Sequence, residues 1–174
     1  WPRGKVMGGS SSVNAMIYAR GLRADYDGWA AMGATGWDYD SVLPYFIKAE
    51  DNARGADDLH GTGGPLSVSD NADPNPLSLA FVQAGEQAQL PLTDDFNRGE
   101  DVEGIGLYQT TTRNGLRKSS ARSYLTDEVM ARDNLHIMTA QQVQRITFDG
   151  KRATGIELAD QSLTARREVL ISAG

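Results

Sequence analysis

The sequence predicts an α+β fold, with helices first and mostly antiparallel strands after them. Three observations carry this. Apolar residues recur at helical spacing in several stretches before residue 131. Short β-rich runs divided by turn signals fill residues 135–174. Nineteen glycines among 174 residues indicate a loop-rich chain, not a helical bundle.

The elements follow in order. A first helix is expected over residues 10–20, capped by the serines Ser10, Ser11 and Ser12 and stopped at Gly21. A second covers 23–32, with Tyr26, Trp29, Ala30 and Met32 near one face. Asp38 caps a third over 39–50, where Val42, Leu43, Phe46 and Ile47 recur at helical spacing and Pro44 falls in the early turns. Trp37, Tyr39, Tyr45 and Phe46 read as packing residues. Residues 51–75 form a loop rich in Gly, Asp, Asn and Pro, broken by a short strand at 66–68. Asn75-Pro76 opens a helix reaching about Leu90. An acidic loop over 91–105 leads to a strand at 106–112, and Asn114-Gly115 marks a turn. Ser119 caps a helix to about Ala131. Strands are expected at 135–139, 143–148, 153–158 and 163–172, with Asp149-Gly150 as a hairpin turn.

Composition narrows the function. A hydrophobic share of 40% and a charged share of 23% fit a globular chain. The net charge of −6 argues against nucleic acid as a partner, which would call for a basic face. The absence of cysteine removes disulfides and thiolate chemistry. No apolar run approaches the ~20 residues that span a bilayer, and the first residues lack the apolar core of a signal peptide. The opening on Trp1 and the apolar close at Val169–Gly174 read as the ends of an internal piece of a longer chain.

The rest of the chain is organised around Gly8-Gly9-Ser10-Ser11-Ser12. Two glycines let backbone approach a ligand without an intervening Cβ. A glycine turn feeding a helix would aim free N–H groups and the positive end of the helix dipole at a phosphate. A plain tight turn leading into a core helix accounts for the same spacing.

Arg3-Gly4-Lys5-x-x-Gly8-Gly9-Ser10-Ser11-x-x-Asn14-x-x-x-Tyr18 resembles the first signature of the glucose–methanol–choline (GMC) oxidoreductases. So do Arg20-Gly21, Asp25-Tyr26-Asp27-x-Trp29, Gly36-Trp37 and Leu43-Pro44-Tyr45-Phe46 in the stretch that follows. Further blocks resemble the family at His60-Gly61-x-x-Gly64-Pro65-Leu66, Asp95-Phe96-Asn97, Gly104-x-Gly106 and Arg117-x-Ser119-Ser120-Ala121-x-x-Tyr124-Leu125. The likeness is greatest to the choline dehydrogenase and long-chain alcohol dehydrogenase branches.

The resemblance implies a segment of an α/β FAD-binding enzyme that oxidises a primary alcohol, choline-like or aliphatic, to an aldehyde by hydride transfer to flavin. It implies that Gly9 and Ser10 approach the FAD pyrophosphate. Asn14, Ala15, Met16 and Ile17 would lie near the flavin ring, and the main chain of Val143 against adenine. Val13 stands where some members carry the histidine that attaches flavin covalently, so non-covalent FAD is expected. The expected division is a flavin-contacting part at 1–50, a substrate-side part at 51–134, and strands at 135–174 returning to the FAD-binding domain. A quinone or respiratory-chain acceptor is expected ahead of oxygen, with a cytoplasmic location or peripheral membrane attachment.

No catalytic residue is assigned within the chain. The family's catalytic histidine lies near the C-terminus, so the segment alone is expected to be inactive. His60 reads as a structural hydrogen-bonding residue, and His136 as packed or exposed. Gly104-Ile105-Gly106 lacks the third glycine of a dinucleotide fingerprint. The acids Asp94, Asp95, Glu100, Asp101 and Glu103 lack the alternation of a calcium loop and read as solvated, so no metal is expected. Arg113, Arg117, Lys118 and Arg122 read as a solvated turn and helix start. Two other readings stay open: a non-catalytic nucleotide- or anion-binding module, and an inactive truncated product.

Overall fold

Local capping chemistry sets most of the helices in the computed structural model, which describes residues 2–99 and 103–173. Helix α1 spans Arg23–Ala31, and the Asp25 carboxylate accepts from the Leu22 amide at 2.8 Å. Helix α2 spans Tyr39–Ala49 and is capped by Asp38, whose side chain accepts from the Ser41 amide at 3.0 Å. Tyr26 of α1 packs against Tyr39 and Phe46 of α2, and edge-on against Trp29. These aromatics pack the two helices together. Helix α3 spans Pro76–Gln87, with Asn75 as cap and proline in the first turn, where its missing N–H costs nothing.

The expected helix over 10–20 does not form. Gly9–Ser12 makes one 3-10 turn, and the chain then runs extended. Serine hydroxyls compete with helical bonding: Ser11 Oγ donates to the Gly8 carbonyl and Ser12 Oγ to that of Met7. Beyond them, backbone pairing with a distant segment takes over. The Thr111 amide donates to the Met16 carbonyl at 2.8 Å, and the Tyr18 amide to that of Gln109 at 2.9 Å.

Strand β1, Glu50–Asn52, pairs in parallel with β2, Leu66–Val68. The loop joining them returns through Gly61, where a Cβ would sit 1.9 Å from the Ile47 carbonyl oxygen. Gly61→Ala is therefore expected to destabilise the fold by at least about 2 kcal/mol, because backbone must shift to admit the methyl. Urea unfolding checks this. A loss below about 0.5 kcal/mol would mean that the close approach is not maintained.

The expected strand over 106–112 is reduced to β3, Thr112–Arg113, paired with β4, Leu116–Arg117. Asn114 and Gly115 form the two-residue turn between them, with φ of 51° and 71°. Upstream, Thr110 bridges to both Ile17 and Ser69, so this stretch ties two segments instead of extending one ladder. The helix expected from Ser119 is interrupted. Helix α4, Ser120–Tyr124, ends at Leu125, and Thr126 then caps α5, Asp127–Met130, by accepting from the Val129 amide.

Pro2–Met130 forms one compact unit and residues from Ala131 onward a second. The second holds an antiparallel sheet of β5, Arg145–Asp149, β6, Arg152–Glu157, and β7, Ser162–Thr164. Residues 135–139 are not a strand, and β7 stops well before Ser172. In neither stretch does a neighbouring ladder among the described residues take up the backbone groups. The α+β class holds, with a parallel pair inserted among the helices. No described helix is long and apolar enough to cross a membrane.

Candidate functional site

The opening stretch forms a single surface feature. Gly8 and Gly9 take φ of 88° and 54°, the left-handed region that glycine enters without steric cost. A Cβ on Gly8 would strike Ser12 Oγ at 2.5 Å, whereas one on Gly9 would meet nothing within 4 Å. The Gly9 backbone therefore faces open space. Gly4 packs behind the turn so closely that a Cβ would lie 2.3 Å from the Gly9 carbonyl oxygen. Its amide donates to Ser10 Oγ at 3.3 Å. A four-residue 3-10 turn has no useful macrodipole, so the helix-dipole argument fails and the exposed glycine backbone remains.

Asn14, Ala15, Met16 and Ile17 continue from this turn. Asn14 and Ile17 are exposed, and Met16 holds a φ of 64°, a strained value for a non-glycine residue. Two sets of bonds hold that strain. Asn14 Oδ1 accepts from the Met16 amide at 3.0 Å, and the Met16 carbonyl accepts from Thr111. The block at 117–120 buttresses the turn. Ser11 Oγ accepts from the Ser120 amide at 2.9 Å, Ser120 Oγ donates to the Gly8 carbonyl, and Arg117 Nη1 donates to the Ser11 carbonyl at 3.1 Å. The basic run is thus not simply solvated, since Arg113 also pairs with Asp51. Six of the seven expected cofactor residues lie in this one stretch. Val143 belongs to the second unit, exposed and just ahead of β5.

Beneath the opening stretch lies a buried ionic cluster that sequence reasoning did not assemble. Glu50 is fully buried. It accepts from Arg20 Nη2 at 2.8 Å, His60 Nδ1 at 3.0 Å, the Gly61 amide at 2.9 Å and Asn52 Nδ2 at 3.1 Å. His60 Nε2 lies 3.1 Å from Asp95 Oδ2. Both ring nitrogens thus face carboxylates, an arrangement that only the doubly protonated ring satisfies. Its bond to Glu50 raises the His60 pKa above the ordinary histidine range against the opposing effect of burial, and Asp95 adds to the rise. Burial alone would push the Glu50 carboxyl up, but His60, the Gly61 amide and Arg20 together hold it below its ordinary value. Asn52 and Gln109 exchange two amide bonds, and Asn97 Oδ1 accepts from the Arg20 amide. The charges of this cluster are paired with one another and its side chains are buried. The cluster anchors Arg20, and with it the extended stretch above.

His60 thus has the structural hydrogen-bonding role, and His136 is exposed. Glu100 and Asp101 lie outside the described residues. Among the described residues no group of three or more acidic or histidine side chains is arranged to hold a metal ion.

The sequence model of the GMC oxidoreductases matches residues 1–174, and the chain belongs to that family. It is 45% identical to the oxygen-dependent choline dehydrogenase of Brucella ovis, an alignment covering 99% of this chain and 32% of that protein. It is 42% identical to the alcohol dehydrogenase [acceptor] of Pseudomonas putida, over 100% of this chain and 32% of that one. Among solved structures, an FAD-dependent oxidoreductase from Chaetomium thermophilum superposes with a TM-score of 0.86 at 30% identity, over 99% of this chain and 33% of the other. The chain spans about a third of the length of these relatives.

Proposed function

We propose that this chain supplies part of the FAD pocket of an enzyme that oxidises a primary alcohol, choline-like or aliphatic, to an aldehyde. The observation that carries the reading is the Gly8–Gly9 turn, whose second glycine turns open backbone outward while Gly4 and Ser120 hold it from behind. A pyrophosphate fits such a surface, because a side chain at Gly9 would occupy the space it needs. FAD, when bound, supplies the hydride acceptor. Gly9 and Ser10 bind the pyrophosphate, and Asn14 to Ile17 lie along the flavin ring. The Val143 main chain meets adenine. With Val13 in place of a histidine, FAD is held without a covalent bond. Residues 1–50 contact flavin, 51–134 form part of the substrate-side wall, and 135–174 return to the nucleotide-binding part. The base that takes the hydroxyl proton is not one of this chain's residues, and the segment alone does not turn over.

An FAD titration followed by flavin fluorescence tests the reading, with Gly9→Trp as comparison. Saturable binding, weakened at least tenfold by Gly9→Trp, is expected. Equal binding by both proteins would overturn the role of the turn. Addition of choline or a primary alkanol to the full-length protein is then expected to bleach the bound flavin. Retained FAD that no alcohol bleaches would favour a binding module. Reoxidation by a quinone faster than by oxygen is the expected acceptor preference; the Brucella relative's name makes oxygen the arm to compare.

A further inference from the structure

The side-chain amide of Asn14 has a fixed orientation. Its Oδ1 receives the Met16 amide at 3.0 Å and Arg117 Nη1 at 2.8 Å. Both partners can only donate, so the oxygen must face them and the NH2 must face away. Asn14 is exposed, and its Nδ2 has no partner among the described residues. The same guanidinium nitrogen that holds Asn14 also donates to the Ser11 carbonyl, so one cation links the glycine turn to the residue three places beyond Ser11. Arg117 is placed for this by the tight Asn114-Gly115 turn and its pairing with Thr112.

We infer that Arg117 is a positioning residue that sets Asn14 to present its NH2 as a hydrogen-bond donor to the flavin, favouring the ring once it has accepted hydride. The inference rests on the FAD reading above. A donor aimed at an acceptor atom stabilises the more electron-rich state more than the oxidised one. Without Arg117 one of the two bonds that fix the amide is gone, and a flipped amide would present its oxygen instead.

The test uses the full-length holoprotein and reads the flavin midpoint potential and the FAD dissociation constant. Asn14→Asp is the decisive variant. Its carboxylate still accepts from Met16 and Arg117, so the local bonds survive, but the donor is replaced by an anion. The reduced flavin is expected to be disfavoured at least tenfold relative to the oxidised form, a fall of about 30 mV for a two-electron couple. Arg117→Leu is expected to lower the potential in the same direction, with Arg117→Lys recovering part of it. Asn14→Ala combined with Arg117→Leu is expected to lower the potential by clearly less than the sum of the two single losses, since Arg117 acts mainly through Asn14 and only in part through the Ser11 carbonyl. An unchanged potential in Asn14→Asp, or additive losses in the double variant, would overturn the inference and leave the FAD reading standing. Wild-type protein that binds no FAD would overturn both.

Discussion

Glu50→Ala is expected to cost at least about 3 kcal/mol, the range for a buried ion pair stripped of one partner. Glu50 is the acceptor on which Arg20, His60, Gly61 and Asn52 all converge, and water does not reach it. Its loss would leave the Arg20 guanidinium buried beside a half-paired imidazolium. Glu50→Gln keeps the volume but removes the charge, and its NH2 would meet donors where the carboxylate accepts. It is therefore expected to fare little better. Asp70→Asn is the comparison. Asp70 pairs with Arg54 at 2.7 Å, but both side chains are substantially solvated, and such a pair contributes no more than about 1 kcal/mol. Urea unfolding of the three variants checks the contrast. A Glu50→Ala loss as small as that of Asp70→Asn would mean that the cluster is not a fastening of the fold. Because Arg20 follows Ile17, the end of the stretch proposed to meet the cofactor, by three residues, weakened FAD binding should accompany any Glu50 variant that still folds.

What the sequence made legible was local. The caps at Asp38, Asn75 and Ser119 are single-residue signals whose bonds reach only two or three places along the chain, and each starts a helix. The Asn114-Gly115 turn is of the same kind. Strand β1 was not legible, because Glu-Asp-Asn has low strand propensity. It forms because its side chains enter the ionic cluster and its backbone pairs with Leu66–Val68. The helix expected at 10–20 failed for a related reason. Apolar residues from Val13 to Ile17 imitate a helix start, yet Met16 and Tyr18 make their backbone bonds to residues near 110. His60 and Asp95 each stood in a visible motif, but nothing along the chain says that a residue 35 positions away shares a proton-bearing ring with it. The family resemblance supplied what periodicity could not, the expectation that the glycine turn meets a dinucleotide. The geometry adds the support behind that turn, which comes from Arg117 and Ser120.

Stability is expected to fall as pH rises through the neutral range, and His60 is the cause. A histidine whose pKa is raised by folding contributes fully below its ordinary value, about 6.5, and the contribution is lost as pH climbs through the raised value. Glu50 works in the opposite sense. Its lowered pKa makes a contribution that is complete above about 4.3 and is lost as pH falls through the folded value. Asp57 shifts the same way, because the Leu59 and His60 amides bond its carboxylate, so several acids share the acid limb. The alkaline limb belongs to His60, with Glu50 and Asp95 on either side of it and Arg20 and Arg98 beyond. Neutral imidazole carries one N–H, so deprotonation leaves one of those two carboxylates facing a lone pair inside the fold. The wild-type chain should therefore lose up to about 1.4 kcal/mol for each pH unit across the folded transition of His60. His60→Asn should be less stable near pH 6, and its deficit relative to wild type should narrow steadily towards pH 9. Other groups that titrate in this range cancel in that difference. A deficit constant from pH 6 to pH 9 would show that the ring is neutral in the folded chain, and the doubly paired imidazolium would have to be abandoned.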